Sequence, residues 1–229
     1  MRGLSVLPVI SCVVRRKVRP LVAVVLIAKE PIPGKVKTRL HPPLSYEQAA
    51  TLAAASITDT VDVVNDLPAS RRILLFDGVS LPGNTSGWDI FHQVEGGLDE
   101  RLAAIFDILD EPVVLIGMDT PQLTADDLSA VLEDDFDPVD AWIGMAADGG
   151  FWALGMKRPD GSLIRGVVMS LDTTGAAQYA RLLDAGMRVR KLPVLVDVDT
   201  IEDAEEVARI SPDTLFAKTL SAILRSYTT

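Results

Sequence analysis

The chain has 229 residues, of which 48% are apolar and 24% charged, and it carries a formal net charge of −10. This composition excludes a disordered polymer, and the acidic balance argues against nucleic acid as a partner. Cys12 is the only cysteine and His41 and His92 the only histidines, so neither an internal disulfide nor a cysteine- or histidine-based metal site is expected. Any divalent ion would be held by oxygen, as magnesium and manganese are.

Leu4 to Val14 is apolar, but Arg15, Arg16 and Lys17 follow it without a small-residue cleavage site. The run is also too short to span a bilayer. Residues 1–20 therefore read as an N-terminal extension, and residues 21–229 as a single domain. A cytoplasmic location without membrane association is expected.

Leu21 to Ala28 is continuously apolar and reads as a buried strand. Ser45 to Asp66 reads as an alanine-rich helix, with Ser45 as its cap and Gln48 three residues on. Arg72 to Phe76 is a short strand, and the Gly-, Pro-, Ser- and Asn-rich stretch Asp77 to Gly87 a loop. Leu98 to Leu109 is a helix, Pro112 to Gly117 a second apolar strand, and Thr124 to Leu132 a helix capped by Thr124. Asp140 to Ala146 and Phe151 to Met156 are strands around Asp148-Gly149-Gly150. Thr174 to Ala185 is a helix and Arg188 to Val198 a strand, and helices Ile201 to Ile210 and Pro212 to Arg225 end the chain. Strands alternating with helices predict an α/β fold of three layers, α/β/α, with a mostly parallel mixed central sheet.

Four segments carry chemistry. The first, Leu26 to Leu40, sets Lys29, Lys35, Lys37 and Arg39 against the single acid Glu30. It leaves the carboxyl end of a central strand, where open α/β sheets place ligands, and its cations suit a phosphate. Pro31 and Pro33 stiffen the loop, and Gly34 lets backbone approach a ligand. A solvated basic turn would look the same. The second is Gly117-Met118-Asp119-Thr120-Pro121. Asp119 leaves another strand end, where a carboxylate can hold a divalent cation against phosphates, or simply serve the turn.

The third segment is Asp197-Val198-Asp199-Thr200. Residues two apart in a strand share a face, so Asp197 and Asp199 present paired carboxylates while Val198 is buried. Thr200 suits the cap of the next helix, with Asp203 at its third position. The fourth is Asp148-Gly149-Gly150-Phe151-Trp152, which fits either a ligand-facing loop or a plain hairpin turn.

In their order, AKEPIPGKVKTRL, IGMDTPQLT, AADGGFWALGM and DVDTIEDAEEV resemble the bacterial glycosyltransferase-A-like proteins of the DUF2064 family, from about Leu21 to Ala208. HQVEGGLDERLAA, which contains Arg101, is similar to a further family segment. The fold implied is that of the nucleotide-diphospho-sugar transferases. More distantly, the AK…KTRL and D-x-P-x-L-T patterns resemble molybdenum-cofactor and phospholactate guanylyltransferases.

There are departures. Gly117 stands where glycosyltransferases of this fold have the first aspartate of Asp-x-Asp, Met145 replaces a proline, and Phe151 replaces a tyrosine. Met169 to Thr174 also lacks an expected tryptophan.

The resemblance implies a transferase that uses a nucleoside triphosphate or nucleotide-sugar with a small-molecule acceptor, and Mg²⁺ or Mn²⁺ as cofactor. Lys29, Gly34, Lys37, Arg39 and Arg101 are the expected nucleotide and phosphate contacts, and Asp119, Asp199 and Asp197 the expected metal site. Gly149, Gly150 and Phe151 are the expected acceptor pocket, and Asp148 and Lys37 the expected catalytic residues. A non-catalytic nucleotide-binding module is the alternative.

Overall fold

The computed structural model describes residues 22–132 and 138–227, so the expected extension at 1–20 lies outside the described residues. Seven strands form one sheet in the order β3-β2-β1-β4-β6-β5-β7. They are β1 (Ala23–Lys29), β2 (Arg72–Asp77), β3 (Asp89–His92), β4 (Val113–Gly117), β5 (Ala141–Ala146), β6 (Phe151–Met156) and β7 (Val189–Leu195). Strand β6 alone runs antiparallel to its neighbours; the remaining pairs are parallel.

Alternation along the strands divides the core. Val24, Leu26, Leu74, Val114 and Ile116 face helix α1 (Tyr46–Asp66). Val25, Ile73, Leu75, Val113 and Leu115 face α2 (Leu98–Ile108) and α4 (Thr174–Asp184). This is the expected α/β/α sandwich. Its central strands are apolar throughout because both faces are covered.

Helix α1 explains its own alanine content. One side packs on the sheet through Ala50, Ala53 and Ile57. The opposite side packs through Ala49, Leu52 and Ala55 on α5 (Ile201–Ile210) and α6 (Leu215–Arg225), and small side chains let helices lie close on both sides. Asp59, on α1, accepts hydrogen bonds from Leu215 N (2.8 Å) and Phe216 N (2.7 Å), which satisfies orphan donors at the start of α6. The expected capping box is present: Gln48 N donates to Ser45 Oγ (3.2 Å) and Ser45 N to Gln48 Oε1 (2.8 Å).

Four elements differ from expectation, the last helix beginning at Leu215 and not at Pro212. The sequence reading has no strand at Asp89–His92, a four-residue edge strand that is nowhere fully buried. The helix expected from Thr124 starts as a 3₁₀ turn, Ala125–Leu128, and continues as α3 (Ser129–Leu132). Strand β7 ends at Leu195, so Asp197 and Asp199 lie beyond it in the link to α5. Among the described residues, no helix is long and apolar enough to cross a membrane.

Candidate functional site

Strands β1, β4, β5 and β7 run in the same direction, so the segments that leave them meet at one edge of the sheet. That edge opens as a cleft of about 890 Å³. Lys37, Arg39, Asp119, Asp148, Asp197 and Asp199 all line it.

The loop after β1 is pinned by two buried side chains. Val36 joins the core between sheet and α1, and Leu40 the core between α1 and α5–α6. Between these anchors Lys37 takes a left-handed backbone conformation, φ 47° and ψ 39°, which costs a non-glycine residue about 1–2 kcal/mol. Its side chain, only 7% exposed, reaches into the acidic cluster. Nζ lies 2.6 Å from Asp119 Oδ1 and 3.7 Å from Asp199 Oδ1 and also donates to the carbonyl of Val198. Burial pushes the ammonium toward deprotonation, but the charges of Asp119, Asp199 and Asp197 outweigh it and hold the pKa above that of an ordinary lysine.

Main-chain bonds between distant segments bring the acids together. Val198 N donates to Asp119 O (2.9 Å), Gln122 Nε2 to Val196 O (2.8 Å), and Ser56 Oγ to Met118 O (2.6 Å). Val198 is buried among Leu40, Leu44 and Leu52. The alternation expected of Asp197-Val198-Asp199 therefore survives although the strand has ended: Val198 is buried while Asp197 and Asp199 line the cleft. Arg39, largely exposed, donates from Nη1 to Asp199 Oδ2 at 2.9 Å. Thr200 caps α5 as expected: its Oγ1 accepts from Asp203 N (3.3 Å), and the Asp203 carboxylate accepts from Thr200 N (2.7 Å) and Asp199 N (3.1 Å). Burial raises the Asp197 carboxyl to about 7, with the charge of Asp119 adding to it and Lys37 opposing.

Asp119, Asp197 and Asp199 thus gather around the buried Lys37 ammonium, while Lys29, Lys35 and Arg101 also line the cleft. The donors are hard oxygens, and one ammonium already sits between Asp119 and Asp199. Among the described residues no three acids form a ready-made metal cage. Two carboxylates nevertheless match magnesium, which is ordinarily held by one or two carboxylates, substrate phosphates and water.

The other expected residues are distributed as follows. Lys29 is half-exposed at the end of β1, 3.9 Å from Asp77, and lines the cleft. Gly34, with φ +75°, turns the loop in open space away from the lining. Arg101 lines the cleft, and its Nη1 donates to Gln93 Oε1 at 3.1 Å. Gln93 was not singled out from sequence. Its amide donates to both Ala28 O and Leu75 O, which fixes the carbonyl that holds Arg101. Gly150 and Phe151 line the cleft. Asp148 Oδ1 accepts from Gly150 N at 2.9 Å, so the hairpin turn and the cleft wall are one structure.

Gly149 packs beneath that wall. It has φ +91°, and a Cβ there would sit 1.8 Å from Asp172 O, in a segment whose residues Met169 to Asp172 also line the cleft. Gly149→Ala is expected to destabilise the protein by about 1–3 kcal/mol and to displace this wall. Gly150→Ala, whose Cβ would first meet Asp148 Oδ1 at 3.1 Å, should cost less. Comparing the two melting temperatures checks the assignment.

The family described as "Uncharacterized protein conserved in bacteria (DUF2064)" matches residues 53–171, just over half of the chain. The chain belongs to the DUF2064 family. The matched stretch of this DUF2064 protein contains Arg101, Asp119 and Asp148 to Phe151; the basic loop and the Asp197–Asp199 link lie outside it. No curated protein matches.

Among solved structures, a candidate nucleotide-diphospho-sugar transferase from Desulfovibrio desulfuricans is similar at 26% identity and a TM-score of 0.75, covering 89% of this chain and 94% of its own. A nucleotidyl transferase from Methanothermobacter is 15% identical with a TM-score of 0.56, covering 87% of this chain and 99% of its own. The inositol-1-phosphate CTP transferase of T. maritima is 12% identical with a TM-score of 0.53, covering 87% and 96%. The fold of this DUF2064 protein is that of the nucleotide-diphospho-sugar transferases.

Proposed function

We propose that the protein is a magnesium- or manganese-dependent transferase that takes a nucleoside triphosphate or nucleotide-sugar and passes part of it to a small-molecule acceptor. The observation that carries this reading is the meeting of Lys37 and Arg39 with Asp119 and Asp199 at one sheet edge. Similarity to the candidate Desulfovibrio transferase supports the reaction class.

Nucleotidyl and glycosyl transfer make the same demand on this site. A bond forms from an acceptor oxygen to the transferred group, the bond to a phosphate oxygen breaks, and the electron pair stays on the leaving phosphate. Groups fixed in advance stabilise that charge without reorganising. Lys37 and Arg39 are the cations for it, and Arg39 offers a planar fork to two oxygens. Asp119 and Asp199 would hold the divalent ion, with Asp197 behind them. The bound ion supplies charge neutralisation across the phosphates. Asp148, fixed by Gly150 N, orients the acceptor hydroxyl and accepts its proton. No covalent protein intermediate is required.

A thermal-denaturation screen of nucleoside triphosphates and nucleotide-sugars, with magnesium and with EDTA, tests this. A ligand at a hundred times its dissociation constant adds about 2.7 kcal/mol, or roughly 5–10 °C for a domain of this size. The expected outcome is a shift of that order for one nucleotide class with magnesium and a much smaller one with EDTA. Shifts that are absent throughout, or equal in the two buffers, would refute the proposal.

A further inference from the structure

We propose that the Lys37 ammonium is the resident counter-ion of the nucleotide-free site, holding the place between Asp119 and Asp199 that a divalent ion takes only when this ammonium moves away. The inference rests on the transferase reading above and adds a consequence: metal alone binds poorly, and metal and nucleotide bind together.

Nζ is 2.6 Å from Asp119 Oδ1 and 3.7 Å from Asp199 Oδ1, so it neutralises both expected metal ligands at once. It also donates to Val198 O, on the segment that Val198 N ties to Asp119 O. An ammonium has three donors; two are committed to Asp119 and Val198 O, and Asp199 Oδ1 lies 3.7 Å away, so Lys37 in this position is not presenting itself to a phosphate. Magnesium binds oxygen at about 2.0–2.1 Å. A metal on Asp119 Oδ1 and an ammonium 2.6 Å from that same oxygen would crowd one another and repel.

The rest of the loop need not move. Val36 and Leu40 anchor the backbone on either side of Lys37, so four side-chain torsions can carry the ammonium from the carboxylates to a phosphate. Arg39 does not share the role, because its fork holds the outer oxygen of Asp199 in solvent. A phosphate that draws Lys37 away uncovers the carboxylates, and a metal on the carboxylates releases Lys37. Each ligand therefore strengthens the other's binding, as linkage requires.

The test is Mn²⁺ alone, titrated into the nucleotide-free protein and followed by the paramagnetic resonance of free Mn²⁺. Lys37→Met should bind Mn²⁺ about ten- to hundredfold more tightly than wild type, because a unit charge some 4 Å away is removed from a partly desolvated site. Lys37→Arg should stay near wild type, and Arg39→Met should change the affinity less than Lys37→Met does. Melting curves establish that each variant is folded. If Lys37→Met destabilises the protein too far, the Lys37→Arg and Arg39→Met comparison decides: tight Mn²⁺ binding by Lys37→Arg overturns the proposal. Mn²⁺ affinity unchanged by Lys37→Met but lost in Asp119→Asn overturns the counter-ion role and leaves the transferase reading standing. Absence of Mn²⁺ binding in every variant overturns the counter-ion role, and the transferase reading is then decided by the nucleotide screen above.

Discussion

Asp119→Asn is expected to abolish the magnesium-dependent part of nucleotide stabilisation. The shift of roughly 5–10 °C at a hundredfold saturation should fall to its value in EDTA, because the substitution removes a charged ligand with little change of shape. The fold should persist. Asp119 holds its loop through its main-chain carbonyl, which Val198 N still reaches, and Lys37 keeps Asp199 and Val198 O as partners. Asp199→Asn should act in the same direction but less completely, since Asp197 is beside it.

A pH signature accompanies this result. The Asp197 carboxyl is raised to about 7, by burial first and by Asp119 next, above the value near 3.9 of an unfolded aspartate. Between those values the native state holds more protons than the unfolded state, so this group's contribution to stability falls as pH rises from about 4 to 7. In metal-free buffer Asp119→Asn should flatten that fall. A variant that keeps both the full magnesium-dependent shift and the wild-type pH slope would place Asp119 outside the metal site.

The sequence made the local parts of this arrangement legible and left the long-range parts hidden. Ser45 with Gln48 and Thr200 with Asp203 are contacts across three residues, so spacing alone reveals both caps. The apolar strands β1 and β4 announce their burial on both faces, and a charged residue just past such a strand is already a candidate for the ligand edge. Edge strand β3 carries no such signal: Asp89-Ile90-Phe91-His92 is too short for a pattern, and its outer residues are exposed.

The bond from Val198 to Asp119 joins residues far apart in sequence, and it makes one site of two acidic motifs. Nothing in either motif encodes the other's position. The placement of Lys37 between the acids is hidden for the same reason. Composition shows a basic loop facing anions to come, whereas the folded chain shows one of its lysines already committed to carboxylates. The role of Gln93 is hidden in the sequence because it depends on two carbonyls from separate strands.

Trp152→Ala should produce the largest loss of stability among these variants and should weaken nucleotide binding as well. The β5–β6 register slips between Gly144 and Met145, so Trp152 has no residue directly opposite it. This bulge turns Trp152 and Ala153 toward the same core while Phe151 packs on the other. The indole is 2% exposed and lies against Gly144, where a Cβ would come within 2.4 Å of it. Its Nε1 donates to Pro193 O at 3.0 Å. Pro193 stands where the β5–β7 register slips in turn, and the chain runs from there into Asp197 and Asp199. Removing the ring therefore empties a core site and releases the strand that aims two of the expected metal ligands.

A buried Trp→Ala change costs about 3–5 kcal/mol, which lowers the melting temperature of a domain of this size by roughly 6–20 °C. Trp152→Phe retains a ring but leaves the Pro193 carbonyl without its donor, a loss of about 1–3 kcal/mol beyond the smaller packing deficit. If the β7 link depends on that donor, Trp152→Phe should weaken nucleotide binding more than its melting temperature alone would suggest. A Trp152→Ala protein that melts within about 2 °C of wild type, less than 1 kcal/mol on the same scale, would show that the bulge holds without the indole.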